Sequence, residues 1–95
     1  MFTISDRLYA EIAEKLLEAI GRRSYFSGSV TLCDGDTECK LLTSLVIIRT
    51  TAEMPEGECD RIEEIIPVWW ELSTAVDGVE ILNDFSFGDL KNFLL

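Results

Sequence analysis

The 95-residue sequence contains no histidine, and its eight Lys and Arg face eighteen Asp and Glu, which gives a formal net charge of −10. Histidine is the one side chain that titrates near neutral pH without help. Its absence excludes Ser-His and Cys-His nucleophile pairs and imidazole metal ligands. The shortage of cations argues against nucleic-acid phosphates and anionic membranes as partners, because both are bound by clustered positive charge. We therefore expect neither a nucleic-acid partner nor a membrane partner.

Long apolar runs and a leader-like start are also missing. The longest strongly apolar candidate, residues 45–48, is far shorter than the roughly 18 residues of a membrane-spanning helix. Residues 1–6 contain neither a basic nor an extended apolar region of the kind found in signal peptides. A composition of 47% hydrophobic and 27% charged residues is typical of globular proteins. The sequence predicts a single domain over residues 1–95 and a cytoplasmic location.

Cysteine is scarce, and its three positions do not have metal-binding spacing. Cys33 and Cys39 flank a predicted turn, where they could face each other across two strands, and Cys59 lies alone in a predicted loop. A zinc site without histidine would need CxxC-type spacing, which this chain lacks. We therefore expect reduced thiols, no metal site and no cofactor.

Acidic residues around the same turn resemble the start of a calcium-binding loop. Asp34, Asp36 and Glu38 alternate as its first ligands would, but the sixth and twelfth positions hold Cys39 and Leu45 instead of Gly and Glu. A solvated turn explains the acidic residues better. Because the sequence also offers no nucleophile with a partner base, we expect no catalytic residues and no enzymatic activity.

Two segments have the periodicity of amphipathic helices. Ser5 is placed to cap the start of the first and Gly21 to end it, and the second follows Ser86 near the carboxyl end. The apolar stripes of these helices comprise Leu8, Ile12, Ala13, Leu16, Leu17 and Ile20 in the first, and Leu90, Phe93 and Leu94 in the second.

The region between the helices has the alternation and turn signals of strands. In chain order we predict a strand over residues 26–33, a turn over 34–37, a strand over 39–50, a polar loop over 51–60, an apolar strand over 65–72, and an Asp77-Gly78 turn into a strand over 79–83. The predicted fold class is α+β, with an N-terminal helix, a four-stranded antiparallel sheet built from two hairpins, and a short C-terminal helix.

Three sequence blocks carry a resemblance to a known family. Residues 25–30 (YFSGSV), 67–71 (PVWWE) and 83–87 (NDFSF) resemble the recurring blocks of small acidic uncharacterised bacterial proteins. The resemblance implies a bacterial, cytosolic protein, and it assigns no activity.

The strand over residues 39–50 is apolar on both of its faces, and Trp69 and Trp70 point to opposite faces of the next strand. The C-terminal helix or the loop over residues 51–60 could cover the second face, or it could be an interface. We predict an interface formed by four residues, Leu41, Leu45, Ile47 and Trp69.

Two functions fit these features. The first is an acidic interaction module that self-associates as a homodimer, or binds another protein, through an apolar sheet face. The alternative is an acidic inhibitor whose carboxylates imitate nucleic-acid phosphates and block a basic partner. The acidic composition alone does not separate them, because acidic surfaces also confer solubility.

Overall fold

Two helices and four strands make up the architecture of the chain. The computed structural model describes residues 1–55 and 57–95, and over residues 52–54 and 58–60 it describes the backbone. The elements, in chain order, are α1 (Asp6–Ile20), β1 (Tyr25–Asp34), β2 (Thr37–Met54), β3 (Gly57–Val76), β4 (Val79–Ile81) and α2 (Phe87–Leu94). Over these described residues the strands form an antiparallel sheet in the order β1-β2-β3-β4. This confirms the predicted α+β class with its N-terminal and C-terminal helices.

Helix α1 begins and ends where the sequence predicts. The Ser5 hydroxyl accepts a hydrogen bond from the Leu8 N–H at 3.2 Å, which satisfies one of the free donors at the helix start. Gly21 ends the helix with φ 58°, a conformation that favours glycine, and its N–H donates to the Leu17 carbonyl. The apolar stripe is buried, except for Leu17, which is half-buried. Helix α2 begins after Ser86, but the Ser86 side chain makes no capping hydrogen bond.

The predicted loop over residues 51–60 is wrong, because β2 and β3 continue through it as a hairpin. Strand pairing extends from Thr50 and Arg61 to Met54 and Gly57. Residue 56, between the two strands, lies outside the described residues. A two-stranded ribbon beyond the core does not need an apolar face, so its polar sequence resembled that of a loop. The two predicted hairpins are therefore joined by a third.

The core lies on one face of the sheet. Phe26 pairs with Leu45, and Ile47 pairs with Ile65, so these side chains share a face. All four are buried in one cluster with the inner sides of both helices. The helices therefore cover the same face, and the other face of β1, β2 and β3 is left without a covering element among the described residues.

Tyr9 of α1 joins the two helices. Its ring lies 5.8 Å from that of Phe93, nearly parallel, and 5.7 Å from that of Phe85. Its hydroxyl accepts a hydrogen bond from the Ser86 N–H at 3.1 Å, just before α2. These contacts fix α2 against α1 and close the core. No helix of the described residues has the length and apolar character needed to cross a membrane.

Candidate functional site

The sheet face that points away from the helices carries a cluster of large apolar side chains. Tyr25, Val46 and Ile66 lie side by side across three strands, and Trp69 pairs with Ser44 in the next row on the same face. We call this surface the open face. Its apolar members are Tyr25, Leu42, Val46, Ile48, Ile66 and Trp69.

The open face is accessible to solvent. The exposed fraction is 55% for Tyr25, 37% for Val46, 41% for Ile48, 45% for Ile66 and 46% for Trp69. Scattered exposed apolar residues are normal on protein surfaces, but contiguous clusters mark binding surfaces. The contiguity across three strands makes the open face a candidate binding surface.

A β-bulge places Trp69 on the open face. The pairing shifts between Ser44 and Leu45, so that Ser44 pairs with Trp69 while Leu45 pairs with Pro67, and Val68 is the extra residue. Trp70 then points to the helix side, where its ring lies 5.5 Å from the ring of Phe87. The prediction that the two indoles occupy opposite faces agrees with this register.

The centre of the open face carries no charge. Val46 lies beside Tyr25 and Ile66, Trp69 lies beside Ser44, and the hydroxyls of Ser27 and Ser44 lie 3.0 Å apart in a hydrogen bond. Glu71 and Glu64 pair with Leu42 and Ile48 at the borders.

One border carboxylate is neutralised by the second helix. Glu64 Oε1 lies 2.6 Å from Lys91 Nζ of α2. The hydrogen bond from Lys91 lowers the pKa of the Glu64 carboxyl, and a hydrogen bond from the Ile65 N–H adds to this effect. The carboxylate therefore stays ionised and paired.

Three of the four residues predicted to form an interface lie in the core and are not accessible to a partner. Leu41, Leu45 and Ile47 are 1%, 0% and 3% exposed, because they lie beneath the helices, whereas Trp69 is on the opposite face. The sequence contained the signal that decides between the faces. A two-residue turn pairs Asp34 with Thr37, and this register aligns Phe26, Val30 and Leu32 of β1 with Leu45, Leu41 and Cys39 of β2. The apolar face of β1 thus marks the core face of β2. The apolar members of the open face that the prediction did not name are Tyr25, Leu42, Val46, Ile48 and Ile66.

The two described thiols do not face each other. Cys33 pairs with Glu38 and is exposed, while Cys39 pairs with Leu32 on the core face and is buried. Both are free thiols. Burial raises the pKa of the Cys39 thiol, and the charges of nearby acidic groups raise it further. The side chain of Cys59 lies outside the described residues.

The acidic turn between β1 and β2 is not arranged around a common centre. Asp34 instead forms an ion pair with Arg7 of α1 at 3.2 Å. Within the described part of the chain, Cys, Asp and Glu side chains do not gather in groups of three that could hold a metal ion.

No family model, curated protein or solved structure matches the chain. The resemblance to small acidic bacterial proteins therefore stays a prediction. Two of its blocks lie in the candidate surface, since residues 25–30 open β1 and residues 67–71 contain the bulge and both tryptophans.

Proposed function

We propose that this protein is a non-enzymatic interaction module that forms a homodimer by packing the open faces of two copies against each other. The observation that supports the proposal is an uncharged, solvent-exposed apolar cluster that spans three strands. Sheets that pack face to face bury such clusters in a shared core about 10 Å thick.

The size of the cluster fits a dimer interface. A fully exposed aromatic side chain presents about 150–250 Å² of surface. Tyr25 and Trp69 are each about half exposed, so together they contribute roughly 200 Å² of accessible surface. Val46, Ile48 and Ile66 add roughly 100 Å² of accessible apolar surface, an area obtained from the transfer free energies of aliphatic side chains and the exposed fractions of these three residues. A standard interface buries about 800 Å² per partner, of which about 450 Å² is apolar. The cluster supplies most of this apolar area, and Val68 in the adjoining bulge, 61% exposed, extends it.

A second copy is the occupant that the charge pattern favours. Two chains with a net charge of −10 repel each other over most of their surfaces. At the open face they can approach without placing carboxylates opposite each other, because Glu64 and Glu71 lie at its borders. A two-fold axis through the cluster would pair the same patch with itself, as in most small homo-oligomers.

The test is a charge placed at the centre of the open face. We expect Val46→Lys to give a folded monomer, because an unpaired ammonium would be buried in the dimer but reaches water in the monomer. Size-exclusion chromatography with light scattering measures the mass, and circular dichroism measures the fold. The matched control is Asn92→Lys, which adds the same charge on an exposed position of α2.

Three outcomes decide the proposal. A wild-type protein that stays monomeric at high concentration contradicts it, and so does a Val46→Lys variant that remains dimeric. The effect of salt on the stability of the complex distinguishes the proposed homodimer from the alternative, an acidic inhibitor of a basic partner. Added salt should strengthen a dimer of two anionic chains, whereas it should weaken a complex held by opposite charges.

A further inference from the structure

The outer edge of the sheet at β1 is long and unprotected. β1 pairs with β2 along one side, over ten residues without a bulge, and its other side has no paired strand among the described residues. Its sequence, YFSGSVTLCD, contains no Pro, Lys or Arg. Natural edge strands are commonly protected by such residues, by bulges or by a covering element, because an open edge pairs with other strands. The β1 edge has neither the protective Pro, Lys or Arg residues nor a bulge.

The backbone groups that face outward can be identified from one hydrogen bond. The Ser24 carbonyl accepts from the Ile47 N–H at 2.8 Å, so the backbone groups of residue 24 point toward β2. In an antiparallel pair the hydrogen-bonded residues alternate with those that point away. The N–H and C=O groups of Ser27, Ser29, Thr31 and Cys33 therefore face outward at the open edge.

A groove runs along this edge between α1 and β1. Three adjoining depressions form it, with volumes of about 470, 360 and 370 Å³. Half-buried Val30 and Leu32 line its β1 side. On its α1 side stand Glu11, Glu14 and Glu18, together with Lys15.

The charge of this groove is negative. At one end of the groove, Arg7 forms ion pairs with Glu11 at 3.4 Å and with Asp34 at 3.2 Å. Glu14 and Glu18 form no ion pair with other described residues. The α1 side therefore presents carboxylates to whatever lies along the β1 edge.

From these observations we infer that the β1 edge binds an extended, Lys- or Arg-rich segment of a partner protein as an additional strand. The outward backbone groups of β1 would pair with the segment. Alternate side chains of an extended segment point to the same face, so basic residues at every second position would lie beside Glu14 and Glu18. A second copy fits this edge poorly, because its own β1 carries no cation and brings another acidic helix. The site is separate from the open face and does not depend on the proposed dimer.

The probe is a fluorescent ten-residue peptide that alternates lysine and threonine, tested against the full chain. The control peptide has five lysines followed by five threonines, so charge and composition are unchanged while the alternation is lost. We expect the alternating peptide to bind more tightly. We also expect it to slow amide hydrogen exchange at Ser27, Ser29, Thr31 and Cys33, because those donors gain partners.

Matched variants separate the groove from the general negative charge of the protein. We expect the double variant Glu14→Gln, Glu18→Gln to weaken binding about three- to tenfold at low salt, on the scale of two surface ion pairs. The control Glu63→Gln, Glu80→Gln removes the same charge from exposed positions elsewhere and should leave affinity within about twofold. Ser29→Pro removes one outward donor and should abolish the preference for alternation.

Several results would overturn the inference. These are equal affinity for the two peptides, equal weakening by the two double variants, and unchanged exchange at the four amides. Protection of the four amides in the peptide-free wild type that is lost on dilution would show that a second copy occupies the edge. The exchange measurement uses the wild-type protein, so the test holds even if Ser29→Pro does not fold.

Discussion

At the scale of single residues, the packing of Phe26 explains the glycine in β1. A Cβ atom added at Gly28 would lie 3.3 Å from Phe26 Cζ, closer than an ordinary contact. The aromatic ring therefore lies over the bare backbone of Gly28, two residues along the strand. Buried polar groups are also satisfied. The Thr43 hydroxyl donates to the Trp69 carbonyl at 2.8 Å, which holds the backbone beside the bulge.

Cys39 gives a pH-dependent prediction at the same scale. Burial is the largest cause of its raised pKa, so the folded thiol stays neutral at a pH where the unfolded thiol has begun to ionise. The stability linked to this group is present below the unfolded pKa of about 8.5 and is lost as pH rises through the folded value. We expect the free energy of unfolding to fall less between pH 7 and pH 10 in Cys39→Ala than in the wild type. Urea unfolding under reducing conditions measures both slopes. Cys33→Ala is the exposed control and should keep most of the wild-type slope, because the burial of Cys39, the largest cause of its raised pKa, remains. An unchanged slope in Cys39→Ala would refute the prediction.

At the scale of elements, the end of α1 is held by two arginines. The Arg23 side chain donates to the carbonyls of Ala19 and Ile20, which have no partners within the helix. Arg49 of β2 donates to the carbonyls of Gly21 and Arg23 at 2.8–3.2 Å. Two cations of this acidic chain thus bind backbone carbonyls at the negative end of a helix, where the helix dipole also favours them.

Replacement by alanine should have opposite effects on stability at two glycines, Gly21 at the end of α1 and Gly88 inside α2. Gly21 has φ 58° and ψ −124°, so Gly21→Ala should cost about 1–3 kcal/mol of stability through backbone strain. Gly88 lies inside α2, and an added Cβ would meet only the Ser86 hydroxyl oxygen at 3.6 Å. Gly88→Ala should therefore stabilise the protein, by up to about 1 kcal/mol. Chemical denaturation of both variants measures the difference. A Gly21→Ala variant as stable as the wild type would mean that the helix end relaxes freely.

The sequence predicted those elements whose signals are local. Ser5, Gly21 and the Asp77-Gly78 turn are set by neighbouring backbone groups, and Asp77 and Gly78 have φ 53° and 79°, as a tight hairpin turn requires. The continuation of β2 and β3 beyond the core could not be predicted in this way. Its paired residues are close in sequence, from Met54 with Gly57 to Thr50 with Arg61, but they leave no apolar alternation that would mark a strand.

Three of the four residues named for the predicted interface lie in the core, and the interface itself stays a prediction. The apolar character of both faces of β2 indicated that one face needed a partner. Which face the helices cover depends on the register between β1 and β2, and the position of Trp69 depends on a bulge one residue away. A bulge has no reliable sequence signature, and one inserted residue reverses the faces of every residue that follows.

At the scale of the whole molecule, the acidic side chains act mainly by repelling one another. The described residues form three ion pairs, which engage Glu11, Asp34 and Glu64. All three involve partly or largely exposed side chains, so each contributes little to stability. The chain is also elongated, with extents of 51 × 24 × 18 Å, which spreads the like charges over a larger surface than a sphere would offer. The net charge of −10 should therefore oppose folding most strongly at low ionic strength.

Salt should consequently raise the melting temperature of the monomer. The Val46→Lys variant is the protein to use, because a dimer would itself become more stable in salt and would make the melting temperature depend on concentration. We expect the melting temperature at neutral pH to rise from about 10 mM to about 150 mM sodium chloride, as the screening length falls from about 30 Å to about 8 Å. The same Val46→Lys protein with Glu63→Gln and Glu80→Gln added carries two fewer negative charges. Its melting temperature should therefore rise less with salt. A melting temperature that falls with salt in both proteins would mean that attractive ion pairs outweigh the repulsion. The carboxylates on α1 would then be engaged within the molecule and less available to a basic strand at the β1 edge.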